Sequence, residues 1–263
     1  MRYLKALFGL WIMPFRIRFF NPKKIFLNKR VAVVGPADST HDDENGDIID
    51  SYDVVIRMNK ALVTWNPKNQ KYLGTRTDVL FHNFYENMNS GGGGPLDWEI
   101  FKGHGVKYLI QPRFDKEGWR LMFNYFKKYL NTKNSIYLFS HKNYSNIVGQ
   151  FDKYHPTRGF YALSAALESN CKEVFITGFT FFKTPYAEGY RDNIRDMKEN
   201  EKHIQNQGLH NVDLEYNNFL KLLQNTPIKN VKVDKKLYAI IKSDSKELAD
   251  KVQIINALNL RNG

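Results

Sequence analysis

Six short apolar runs, each bounded by polar or turn residues, limit what this chain can fold into more than any other feature. They lie at residues 30–35, 53–56, 78–81, 107–110, 136–139 and 173–176. Four to five residues of that character read as strands, and the first, RVAVVG, ends on a glycine as the opening strand of a parallel sheet does. Helical patterns fall between several of them, notably at 119–130 and 160–169. Strands alternating with helices predict an α/β fold: a single doubly wound, mostly parallel sheet flanked by helices. Further on, Val231 and Val233 suggest one more short strand. Ser245, Lys246 and Glu247 open a helix that would carry Leu248, Val252 and Ile255 on one face.

The loop after the first strand excludes two ligand classes. It reads Gly35, Pro36, Ala37, Asp38, Ser39, which is neither the G-x-G-x-x-G of a dinucleotide fold nor a phosphate-binding P-loop. Residues 87–95, with four consecutive glycines, are expected to be a flexible loop, and the polar stretch 184–208 a lid or loosely helical insert. The acidic triplet Asp42, Asp43 and Glu44 reads as a solvated turn, so no metal site is expected. A single cysteine cannot close an intrachain disulfide, which is compatible with a reducing compartment.

Charge separates the ends of the chain from its middle. The formal net charge is +12, yet residues 1–30 hold eight basic residues and no acid, and residues 227–263 hold eight basic and four acidic ones. The 196 residues between them carry 23 of each sign. The first thirty residues also contain seven aromatics, which alternate with cations in FRIRFFNPKKIFLNKR. The apolar run ALFGLWIMPF would rise only about 15 Å as a helix, about half a bilayer. Rings at a headgroup boundary with Lys and Arg facing anionic lipid make residues 1–29 a membrane-surface segment attached to residues 30–263. A short signal anchor and a helix packed on the protein's own core are the other readings. The same interleaving suits single-stranded nucleic acid, but nothing downstream supports a nucleic-acid partner. The lysine-rich tail reads as a solvated cap.

Three segments place polar residues at the carboxyl ends of predicted strands, or at the start of a helix, where open α/β sheets bind ligands. Asn59 follows the second strand, and Asn83 follows the third. Pro156, Thr157, Arg158 and Gly159 precede the helical FYALSAALES, whose free N–H groups suit an anion that Arg158 would reinforce. An Asn after a strand is also an ordinary turn former; three such features on one edge point to a polar ligand.

Together these segments resemble glycosyltransferase family 29, the sialyltransferases. VAVVG (31–35), IDSYDVVIRMN (49–59) and GTRTD (74–78) are similar to its long motif. PTRGFYALSAAL (156–167) followed by CKEVFITGF (171–179) is similar to the short motif, and HNVDLE (210–215) to the very short one. The resemblance spans roughly residues 30–220. It implies a GT-A-like sialyltransferase variant of the α/β fold, a CMP-sialic acid donor, a glycan or glycolipid acceptor, inversion at the anomeric carbon, and no metal or other cofactor. It assigns donor contacts to Gly35, Asn59, Thr157, Gly159 and Gly178, and the general base to His210. Looser similarity to a separate bacterial family adds Asn83 facing the donor and Tyr186 on the departing phosphate.

The sequence departs from the family pattern at four places. Pro36 stands where an Asn is usual, with Ser39 or Asp38 as substitutes. A His expected in the aromatic third motif is absent, which leaves the phosphate role to Tyr186 or Tyr190, with His203 a further candidate. Arg158 replaces a small residue and is expected to reach the donor carboxylate or phosphate. Cys171 keeps one position of the disulfide that joins the long and short motifs in the animal enzymes, but its partner position is Val31. That implies a cytoplasmic, microbial version attached peripherally to the inner face of a membrane. Two alternatives remain at this point: transfer of Kdo or another CMP-activated acidic sugar to lipopolysaccharide, and a non-catalytic membrane-binding protein on the same scaffold.

Overall fold

The computed structural model describes residues 2–88, 92–188, 190 and 208–255. Nine strands form one sheet: β1 Ile17–Phe19, β2 Arg30–Val34, β3 Val54–Met58, β4 Val79–Phe81, β5 Tyr108–Gln111, β6 Ile136–Leu138, β7 Glu173–Thr177, β8 Val231–Val233 and β9 Val252–Ile254. Their order is β1-β6-β5-β4-β3-β2-β7-β8-β9, and every neighbouring pair is parallel. The chain therefore steps outward from β2 to β6 and then returns to lay β7 on the other side of β2. Loops leaving β2 and β7 part in opposite directions at this switch point, opening a crevice above the carboxyl ends of the strands.

The longer helices are α1 Arg2–Arg16, α2 Lys116–Lys128, α3 His141–Val148, α4 Arg158–Leu167, α5 Val212–Asn225 and α6 Lys235–Asp244. Asp115, Ser140, Thr157, Asn211 and Asp234 cap α2 to α6, each accepting a first-turn N–H with its side chain. The central helix α4 is apolar all round after its first residues, because it is covered on every side: it packs on β2, β3, β4 and α5. Strands β2, β3 and β7 are buried almost throughout, as expected of a parallel sheet covered on both faces.

Two expectations change. Residues 17–26 belong to the main body: β1 pairs with β6, and Phe20 and Phe26 lie fully inside the largest core cluster. Phe20 meets Phe26, Phe81, Tyr108 and Phe139 with ring centroids 5.7–6.2 Å apart. A boundary at residue 30 would cut this cluster, so the partition into 1–29 and 30–263 does not match the packing. The terminal helix is also shorter than expected: Lys246–Ala249 ends it, and Val252 lies in β9, where three residues extend the sheet beside β8. The expected lid or insert at 184–208 lies for the most part outside the described residues, and His203 with it.

Candidate active site

A cavity of about 470 Å³ opens above the carboxyl ends of β2, β3, β4 and β7. Its floor depends on two glycines. Gly178, after β7, holds φ +72°, and a Cβ on Gly35, after β2, would lie 2.1 Å from its carbonyl oxygen. Only residues without a side chain let the two strand ends meet so closely. Buried Asp234 fastens the arrangement: one carboxylate oxygen accepts the Gly178 N–H at 2.8 Å and the other accepts that of Leu237 in α6 at 2.7 Å.

Asn59, Asn83, Thr157, Arg158, Gly159, Gly178, Tyr186, Tyr190 and His210 all line this cavity, although they come from six separated stretches of chain. Gly35 lies beneath it. Ser39 does not reach it: it sits in a 3-10 turn, Asp38–His41, with its hydroxyl buried away from any partner. The role of Ser39 as a substitute for the missing amide at Pro36 therefore has no geometric basis. Pro36 has its own use, since its carbonyl accepts from Ala187 N at 2.9 Å, while Asp38 N donates to Pro185 O and Ala37 bridges to Tyr186. These contacts clip the 184–188 segment over the site. Tyr186 and Tyr190 then stack at 5.3 Å between centroids, with the Lys60 ammonium 5.3 Å from the Tyr190 ring.

Asn59 adopts φ +50° and accepts the backbone N–H of Asn83 at 3.1 Å, so the amide side chain joins the ends of β3 and β4. Phe181 and Phe182 are also left-handed, at φ +49° and +62°, and line the same cavity. Backbone strain of this kind costs on the order of 1–3 kcal/mol per residue and gathers at binding sites. Beneath Asn83, fully buried His82 accepts from Phe84 N at Nδ1, so its Nε2–H donates to Gly93 O at 2.7 Å. Burial pushes this imidazole down to about 4, which keeps it neutral. Within the expected flexible loop 87–95, Gly92 to Gly94 are buried against the site, while Asn87, Met88 and Pro95 are exposed.

At the mouth of α4, Thr157 is fully engaged within the protein. Its hydroxyl donates to Glu215 at 2.6 Å and accepts from Phe160 N at 3.1 Å, and its N–H also reaches Glu215, at 2.9 Å. Glu215 is buried in α5, and burial raises its carboxyl to about 7 against the lowering effect of those hydrogen bonds. Thr157 thus positions α4 against α5, leaving the first-turn N–H groups of Arg158 and Gly159, which have no carbonyl of their own helix to bond. Arg158 is the most exceptional group in the site. Its Nε is buried with no hydrogen-bond partner, and burial lowers the guanidinium to about 10.

His210 is held by the segment just before α4. Its Nδ1 lies 2.6 Å from the carbonyl oxygen of His155. A carbonyl can only accept, so the proton is on Nδ1 and Nε2 is the basic nitrogen. His155 is itself fixed by donating its N–H to Leu209 O at 2.8 Å. The Nδ1 of its ring is buried and unpartnered, and burial lowers its pKa.

Sequence reasoning missed Lys60, Arg113 and His155, all of which line the cavity. Arg113 follows β5, so the rule that selected Asn59 and Asn83 would have found it. It is held by Asp115, with Nε 3.0 Å and 3.1 Å from the two carboxylate oxygens. Burial acts to raise the Asp115 carboxyl, but Arg113, Gly118 N–H and Tyr144 hold it down at about 2. Against Lys60, Arg113 and Arg158, the described lining includes one carboxylate, Glu215. Such a lining suits an anion. Among the described residues no three His, Cys, Asp or Glu side chains converge as a metal would require.

The family model described as glycosyltransferase family 29 (sialyltransferase) matches residues 22–226. No curated protein matches the chain. Two crystal structures of a mammalian sialyltransferase are similar to it over 97% of this chain and 79% of theirs. One, at 15% identity, has a TM-score of 0.50. The other, in complex with Gal-beta-1-3GalNAc-ortho-nitrophenol, is 16% identical with a TM-score of 0.48.

Proposed function

The chain belongs to glycosyltransferase family 29, the sialyltransferases, and we propose that it moves sialic acid from CMP-sialic acid to a glycan hydroxyl in one inverting displacement without a divalent ion. In this reading the acceptor hydroxyl attacks the anomeric carbon as its proton passes to His210 Nε2. The bond from that carbon to the CMP phosphate breaks, and the electron pair leaves with the phosphate. A single displacement inverts the anomeric centre. His210 suits the base because an imidazole titrates near the working pH, and its Nδ1–H···O=C bond aims the ring.

CMP carries one phosphate, so fixed cations and N–H donors are sufficient to meet the developing charge. The N–H groups at the start of α4 and the Arg158 guanidinium provide them, with the hydroxyl of Tyr186 or Tyr190 as the donor nearest in kind to the family's missing histidine. One observation carries the reading: a single cavity holds both a base with its lone pair on Nε2 and an arginine whose buried Nε has no hydrogen-bond partner among the described residues.

The test is His210→Ala, assayed for CMP release and product formation with CMP-sialic acid. General bases contribute about 10²–10⁴-fold, so transfer should fall by that factor while CMP still binds. Unchanged transfer by the folded variant removes His210 from the mechanism. Running CMP-Kdo beside CMP-sialic acid identifies the sugar, and absence of transfer from either returns the chain to a binding role.

A further inference from the structure

We propose that α1 is a docking face for an anionic lipid bilayer. A surface helix ordinarily turns its polar side to water; α1 is apolar on both sides. Its inner stripe seats it on α2. Ile12 is buried and joins that core cluster, Met13 packs against it, and a Cβ on Gly9 would stand 3.0 Å from the backbone nitrogen of Lys127. Arg16 fixes its end by donating to Lys133 O at 3.1 Å.

With the helix so oriented, its outer face is a row of large apolar side chains in water: Leu4 71%, Leu7 65%, Trp11 64% and Phe15 59% exposed. Phe8, Trp11 and Phe15 run along it as a ladder, with successive centroids 5.8 and 5.6 Å apart. Phe19, 61% exposed, continues the apolar surface from β1. Exposed apolar surface of this extent marks an interaction site.

Charge identifies the occupant. Lys5 within α1, and Arg18, Lys23 and Lys24 in the segments that follow it, are exposed, and the sequence has no acid before Asp38. A second copy docked here would set like charges against like. Aromatic and aliphatic groups accompanied by cations fit the headgroup boundary of an anionic membrane. Among the described residues no helix is long and apolar enough to cross a bilayer, so the contact is one of lying on the surface. The inference does not depend on which sugar is transferred.

The experiment uses the full chain and co-sedimentation with phosphatidylcholine vesicles, with and without phosphatidylglycerol. Substitutions are preferable to truncation because β1 and Phe20 belong to the main body. The full chain should bind the anionic vesicles, and at least about tenfold more weakly without phosphatidylglycerol. The triple variant Leu7→Ser, Trp11→Ser, Phe15→Ser should lose at least about 100-fold. It should keep its circular dichroism and thermal transition, since those side chains face solvent. No binding by the full chain, equal binding to both vesicles, or undiminished binding by the triple variant overturns the proposal. So does self-association, or a stable complex with another protein, that the same variant abolishes.

Discussion

Replacing Arg158 with Met should make the empty protein more stable and the liganded one less so. Arg158 is held in its charged form at a cost, because its Nε is buried without a partner and burial lowers the guanidinium to about 10. That displacement corresponds to a penalty of about 3 kcal/mol on the charged form. Loss of the contact with the Tyr161 ring, 5.8 Å away, returns about 0.5–1 kcal/mol. Met fills most of the same volume, so the net gain should be about 1–2 kcal/mol, or about 3–6 °C for a chain of this size. Hydrogen bonds to a charged group contribute about 1.5–3 kcal/mol, so the Kd for the CMP-sugar donor should rise about 10–150-fold. Thermal unfolding of both proteins, alone and with CMP-sialic acid, reads the two effects in one titration: the midpoint without ligand rises and the ligand-induced shift shrinks. A variant that is less stable when empty and binds the donor as well as before would refute the view that Arg158 is kept for an anion.

Glu215 should make stability depend on pH. Its folded value of about 7 lies above that of an unfolded carboxyl, so the native state holds the proton longer, and stability falls as pH rises from about 5 through 7. The loss should reach about 2–3 kcal/mol, and urea unfolding of Glu215→Gln should show a flatter profile over that range; an unchanged slope would assign the effect elsewhere. Gly178→Ala should cost more than about 3 kcal/mol, because a Cβ there would lie 2.3 Å from Thr40 Cγ2 at a φ of +72°. Its thermal midpoint measures this, and a wild-type value would mean that the meeting of β2 and β7 is not tight.

Much of the fold was legible because strand residues in a parallel sheet are apolar on both faces and need no partner to be recognised. All six apolar runs of the core, and Val231–Val233, are strands at or within a few residues of the expected positions. β1 and β9 were not legible: Ile17–Phe19 is flanked by cations, and Val252–Ile254 follows a helix start, so only pairing with β6 and β8 makes them strands. In the long-motif region, several polar residues serve the scaffold. Asp50 accepts from Thr75 and Arg76, and Asp78 from Val55 N and Lys107. Nothing local distinguishes them from Asn59, which lines the cavity.

The sequence by itself determined the kind of sheet, the edge where the cavity opens and the ordered motifs that name the family, because each is written in residues close together along the chain. Tertiary structure alone decided which polar groups face one another. Thr157, expected at the donor, lines the cavity while Glu215, fifty-eight positions away, engages its hydroxyl and N–H. His155 enters the cavity through a backbone contact with His210 that no spacing encodes, and Arg113, though it follows a strand, is held there by an ion pair with Asp115. The same holds for the basic aromatic stretch at residues 1–30. Composition could not say that Phe20 and Phe26 turn inward while Leu7, Trp11 and Phe15 remain in water. That division is made by Gly9 and Ile12 seating α1 on α2, a contact between segments more than a hundred residues apart.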